Sequence, residues 1–126
     1  MGTPAEIESA VSGLGPSDGL WTGTDQFTFA NRRLILDLAA RYRIPAMHSW
    51  FGFVADGGLM SYSPDVLTIW RSGAEYVDRI LKGAVVHELP IQEPRVYNLD
   101  INIGTAKALG LVVPRSMLAL ARRIIE

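Results

Sequence analysis

Residues 99–115 read Leu-Asp-Ile-Asn-Ile-Gly-Thr-Ala-Lys-Ala-Leu-Gly-Leu-Val-Val-Pro-Arg. Apolar side chains alternate at Leu99, Ile101 and Ile103, the period of a strand, and then give way to an Ala-rich run ending at Leu109, the composition of a short helix. Gly110 closes that helix and Pro114 opens a second one, because glycine tolerates the left-handed residue past a helix end and proline suits a first helical turn. Almost every residue in the run has a backbone role. None carries obvious catalytic chemistry.

The same alternation of short apolar runs with longer helical periods extends toward the N-terminus. Residues 4–13 read as a helix with Ile7, Ala10 and Val11 on one side, followed by a strand at Gly19 to Thr22. From Phe27 to Tyr42 the apolar residues Phe27, Ala30, Leu34, Leu38 and Tyr42 fall at steps of three and four, with Ile35 and Ala39 beside them, which predicts one helix capped by Thr24 or Asp25. Strands follow at Ile44 to His48 and Gly58 to Ser61, separated by a Phe-rich turn of helix around Trp50 to Val54. Ser63-Pro64 then opens a long helix whose Val66, Ile69, Trp70, Gly73, Val77 and Ile80 share a face and which ends at Gly83. Strands separated by helices require parallel crossovers, so the expected fold is α/β, a three-layer arrangement of a mainly parallel sheet flanked by helices.

Composition narrows the function. The 126 residues are 48% apolar, enough for one core, so residues 1–126 are expected to form a single α/β domain. Twelve basic residues against thirteen acidic ones leave a net charge of -1 and no positive field for phosphate backbones, which argues against nucleic acid as a partner. There is no cysteine, hence neither disulfide nor thiolate metal site. His48 and His87 have no partner at ligand spacing, so neither a metal nor any other cofactor is expected. A nucleophile elbow, a phosphate loop and a complete dinucleotide fingerprint are all missing, so the sequence gives no reason to expect an enzyme. The opening residues lack the basic and apolar segments of a secretion signal, and no apolar run has the length of a membrane-spanning helix.

In a parallel α/β sheet ligands collect at the carboxyl ends of strands. Three loops qualify: Gly23-Thr24-Asp25-Gln26, His48-Ser49-Trp50 and Ser61-Tyr62-Ser63. Asp25 has two open roles, as a helix cap or as an acceptor for a ligand amine or hydroxyl. Trp50, Phe51 and Phe53 suit either a flat aromatic pocket or plain core. Tyr62 is a ligand contact or a surface residue, Ser63 the expected cap before Pro64, and Trp70 a core or interface residue. The pairs Arg32-Arg33, Arg41/Arg43 and Arg122-Arg123 read as solvated helix surface.

Five segments occur in an order that resembles the C-terminal portion of ABC-transporter substrate-binding proteins of the tryptophan and tyrosine importer type. They are Arg43-Ile-Pro-Ala-Met-His-Ser-Trp50, Asp56-Gly-Gly-Leu-Met-Ser-Tyr-Ser63, Tyr76-Val-Asp-Arg-Ile-Leu-Lys-Gly-Ala84, Leu89-Pro-Ile91 and Ile101-Asn-Ile-Gly-Thr-Ala-Lys-Ala-Leu-Gly110. The resemblance runs from Pro4 to Glu126. It implies one lobe of a type I periplasmic binding protein, with residues 62–83 as a crossover-type helix and 95–126 as the C-terminal strand and helices. It further implies a non-enzymatic protein outside the cytoplasm that captures a small organic solute, such as an aromatic amino acid or related carboxylate, and hands it to an ABC permease. The ligand turn of the family corresponds to Thr24-Asp25-Gln26, with Gln in place of Asn, and the glycine usual after Ser-Tyr is Ser63 here. Thr24, Asp25, Gln26, Ser49, Trp50 and Tyr62 are therefore the expected ligand contacts. A lobe lacking its companion leaves the face of the long helix uncovered, so a homo-oligomer is expected. The alternative is a stand-alone α/β domain for self-association or protein interaction, without transport.

Overall fold

The computed structural model describes residues 2–126. In chain order the elements are α1 (Pro4–Ser12), β1 (Leu20–Thr22), α2 (Gln26–Ala30), α3 (Arg32–Tyr42), β2 (Ala46–His48), α4 (Phe51–Ala55) and β3 (Met60–Pro64). After these come α5 (Val66–Leu81), a 3₁₀ turn (Val86–Glu88), β4 (Tyr97–Asn102), α6 (Ile103–Ala108), α7 (Arg115–Leu120) and β5 (Ala121–Ile125). The five strands form one sheet in the order β1-β2-β3-β4-β5. β1 pairs parallel with β2, β2 with β3, and β4 with β5. The bonds from Asn102 N to the Leu59 carbonyl (2.9 Å) and from Asp65 N to the Val96 carbonyl (2.8 Å) make β3 and β4 antiparallel neighbours. The sheet is thus mainly parallel, and the α/β architecture expected from the residue pattern is the one observed.

The chain divides into two compact units, one of residues up to Ser63 together with Leu99–Glu126, the other Pro64–Asn98. In the larger unit, Ile7 and Val11 of α1 pack with Ile35 and Leu38 of α3 and with Phe53 of α4, while Leu20, Phe27, Leu34 and Leu36 pack against them. Thr3 opens α1 with a reciprocal capping box to Glu6, which satisfies two helix-end donors at once. Gly110 has φ 75°, as its place beyond α6 requires, and Asn102 caps that helix by accepting from Thr105 N at 2.9 Å.

In the smaller unit α5 runs for 16 residues and buries none of them. Its cap is Asp65, which accepts from Thr68 N at 2.9 Å and from the Asn98 amide at 3.0 Å. The Tyr76 hydroxyl donates to the Pro90 carbonyl, tying the helix to the extended stretch before β4.

Four details depart from the sequence reading. The helix expected over residues 27–42 is two helices, broken at Asn31, whose side chain donates to the Phe27 carbonyl at 2.9 Å and so competes with helix propagation. The buried face accordingly moves to Ile35, Leu38 and Ala39, with Ala30 and Tyr42 exposed. Ser63 does not cap α5, because β3 continues through it to Pro64 and the cap shifts to Asp65. The helix opened by Pro114 stops at Leu120, and the β-branched tail becomes β5, paired with β4.

Candidate ligand-binding site

Two parallel strands end side by side at Thr22 and His48. The Thr22 hydroxyl lies 2.7 Å from His48 Nδ1, and the Thr22 carbonyl accepts both from Ser49 N at 3.1 Å and from Ser49 Oγ at 2.8 Å. These bonds fix the distance between the two loops that leave the strands. Both Thr22 and His48 are buried, and burial pushes the imidazole from its ordinary 6.5 down to about 4, so the ring is neutral at physiological pH. His48 also stacks on Phe53, centroid to centroid 4.4 Å and 11° from parallel. A Cβ at Gly58 would fall 2.9 Å from Cδ2 and Nε2 of the imidazole, so the chain needs glycine there.

Above this support the two loops enclose a concavity of about 260 Å³ lined by Gly23, Thr24, Asp25, Gln26, Phe29, Trp50 and Phe53. One wall is aromatic. The rings of Phe29 and Trp50 meet at 4.7 Å and 56°, a tilted aromatic contact. Gly52 lets the Trp50 ring lie flat over the start of α4, since a Cβ at position 52 would come within 1.6 Å of a ring carbon. The other wall is polar, made by the exposed turn Thr24-Asp25-Gln26.

Asp25 takes the capping role left open by the sequence. Its Oδ1 accepts from Thr28 N at 2.8 Å and its Oδ2 from the Thr28 hydroxyl. The Thr28 hydroxyl first, and then the Thr28 amide, hold the carboxyl below its ordinary range, so it is a fixed negative charge at neutral pH. A carboxylate offers about four acceptor positions, so the cap leaves room for a ligand donor. Of the expected contacts the structure brings Thr24, Asp25, Gln26 and Trp50 to one concavity. Ser49 is engaged by the Thr22 carbonyl beside it, and Tyr62 lies within β3, exposed between the buried Ser61 and Ser63, and does not line it.

The sequence reading missed Phe29 and the supporting pair Thr22–His48. Phe29 lies on α2, outside the stripe that the continuous helix assigned to the core. Its position four residues past the cap Asp25 was the available signal. Arg123 was also misplaced: it is on β5, not on a helix, with Nε 3.9 Å from Asp100 Oδ1 and its guanidinium 4.0 Å over the Phe51 ring. Asp100 is buried and receives the Ser61 hydroxyl at 3.4 Å. Arg32 likewise reaches a partner, Asp56, at 2.6 Å. Among the described residues no group of His, Asp or Glu side chains is arranged to hold a metal ion, and no helix is long and apolar enough to cross a membrane.

Residues 3–125 match the family model described as ABC transporter substrate binding protein. A tyrosine-binding protein of Clostridioides difficile is 27% identical over 112 residues, covering 88% of this chain and 32% of the relative. Two solved structures share the fold. A conserved domain protein from Vibrio cholerae superposes with a TM-score of 0.80 at 24% identity, over 97% of this chain and 42% of that one. A streptococcal ABC domain in complex with L-Trp gives 0.81 at 22% identity, over 97% and 41%. The chain therefore spans about a third of the length of the curated relative and about two-fifths of the solved ones.

Proposed function

The chain belongs to the ABC transporter substrate binding protein family, and from that premise we propose that its concavity at the ends of β1 and β2 is part of the ligand site of a solute-capture protein. The ligand class is an aromatic amino acid or a related small carboxylate. The observation that carries this reading is the pairing of the aromatic Phe29–Trp50 wall with a charged Asp25 across about 260 Å³. A flat ring stacks on the wall, while an ammonium group is held by a carboxylate already oriented by Thr28. The relatives named for tyrosine and solved with L-Trp support the same chemistry.

Capture rather than conversion is the role, because the hydroxyl–imidazole pair Thr22–His48 is buried beneath the concavity as a brace. Delivery to a membrane permease, outside the cytoplasm, completes the proposal. Ser49 acts by fixing the loop, and Tyr62 contributes only where a ligand extends along β3.

Calorimetric titration with L-tryptophan, L-tyrosine and glycine tests it. The concavity is open, so water reaches the ligand on one side, and the expected affinity of this chain is weak, roughly millimolar for the aromatic amino acids and undetectable for glycine. Asp25→Asn and Trp50→Ala should each remove the signal. Equal binding of glycine and tryptophan, or undiminished binding by both variants, would overturn the assignment.

A further inference from the structure

The aromatic wall of the concavity has a cation behind it. Arg32 opens α3 directly after the break at Asn31, and its guanidinium carbon lies 5.1 Å from the centre of the Phe29 ring, within the range of a cation–π contact. Its Nε donates to Asp56 Oδ2 at 2.6 Å. Asp56 is the C-cap of α4, and Trp50 is the N-cap of the same helix. The contacts therefore close a circuit: Phe29 to Trp50 at 4.7 Å, along α4 to Asp56, across to Arg32 and back to Phe29.

The circuit joins elements that cannot fix their own positions. α2 and α4 have five residues each, too short to be stable without tertiary contacts, and α2 buries none of its residues. Arg32 reaches the ring on the one and the end of the other at once. Only a planar guanidinium does this, because it can lie over a ring while an N–H at its edge holds a carboxylate, whereas an ammonium group is a point charge. The pair with Asp56 is partly exposed, 30% and 39% of the two side chains, so it contributes little to stability. Its effect is on where the two rings stand.

We propose that Arg32 is a positioning residue for ligand capture, which sets the separation and tilt of the Phe29–Trp50 wall from behind. Arg32 does not itself line the concavity, so its part in capture rests on the ligand reading given above.

The chain has three tryptophans, Trp21, Trp50 and Trp70, so its nitrogen–proton correlation spectrum carries three indole signals, and Trp50→Phe identifies the one from the wall. In the ligand-free chain Arg32→Ala should displace the Trp50 signal and leave those of Trp21 and Trp70 in place. Titration with L-tryptophan followed in the same spectra should show binding weakened roughly three- to tenfold, with the thermal midpoint nearly unchanged. Asp56→Asn should reproduce both changes by releasing Arg32, and Arg32→Lys should recover only part of the affinity. Arg33→Ala removes the same charge from an exposed side chain one position on, and should change neither signal nor affinity. A fixed Trp50 signal in Arg32→Ala, or an equal response to Arg33→Ala, would overturn the proposal even where tryptophan binds. With a wild-type chain that binds no aromatic amino acid the ligand reading falls, while a displaced Trp50 signal still upholds Arg32 as the residue that sets the wall.

Discussion

His48 shows how much one side chain fixes here. Its Nδ1 holds the end of β1 and its ring carries Phe53, while Nε2 is buried without a protein partner. Folding excludes the protonated ring, so the unfolded chain binds a proton that the folded one refuses. The stability this gives is complete above pH 6.5 and is lost as the pH falls toward about 4, by roughly 3 kcal/mol in all. Urea midpoints at pH 7 and pH 5 should differ accordingly, and His48→Gln should flatten the difference. Gly52→Ala is expected to lift the Trp50 ring out of the wall and weaken tryptophan binding at least ~tenfold, by about 1.4 kcal/mol, with the fold intact by circular dichroism. That Thr24, Asp25, Gln26 and Trp50 share one concavity was legible in the sequence because their loops leave the ends of neighbouring parallel strands. The brace behind them was not, since a threonine and a histidine twenty-six positions apart carry no pairing signal until the strands align.

Elements were legible where the pattern was long. α5 and the strands β1, β2 and β4 combine apolar period with clear end signals, and their bounds shift by only a few residues. β5 was hidden by its composition: Ala-Arg-Arg-Ile-Ile follows Leu-Ala-Leu and continues a helical reading, and only pairing with β4 turns it into a strand. Tertiary context outweighs local propensity in such a case. The strand earns its place through Arg123, whose guanidinium covers Phe51 and approaches the buried Asp100. Arg123→Ala should destabilise the chain by roughly 1–3 kcal/mol, because it leaves a buried carboxylate oxygen without its countercharge. Thermal unfolding at neutral pH measures this, and Asp100→Asn in the same background should restore part of the loss. Additive losses in the double variant would rule out the coupling.

For the chain as a whole, the resemblance to ABC-transporter substrate-binding proteins was readable from five short segments, and the family match extends over residues 3–125. Composition alone excluded much but identified nothing. The boundary at Ser63/Pro64 falls where the sequence reading opens its long helix, whereas the boundary at Asn98/Leu99 lies inside β4, where no linker composition marks it. That division predicts two stabilities. Amides of α5, a helix with no buried residue, should exchange with solvent faster than those of α3, whose Ile35, Leu38 and Ala39 are buried. Hydrogen exchange followed by mass spectrometry distinguishes the two, and equal protection would contradict the division into units.

The break at Asn31 has a bearing on how such a protein changes over generations. It places Phe29 on one helix and the core-forming Ile35, Leu38 and Ala39 on the next. A substitution at Phe29 alters the shape of the concavity while α3 keeps its own contacts, so, on the proposed ligand reading, new solute preferences can be tried in a lineage one residue at a time without endangering the scaffold that displays them.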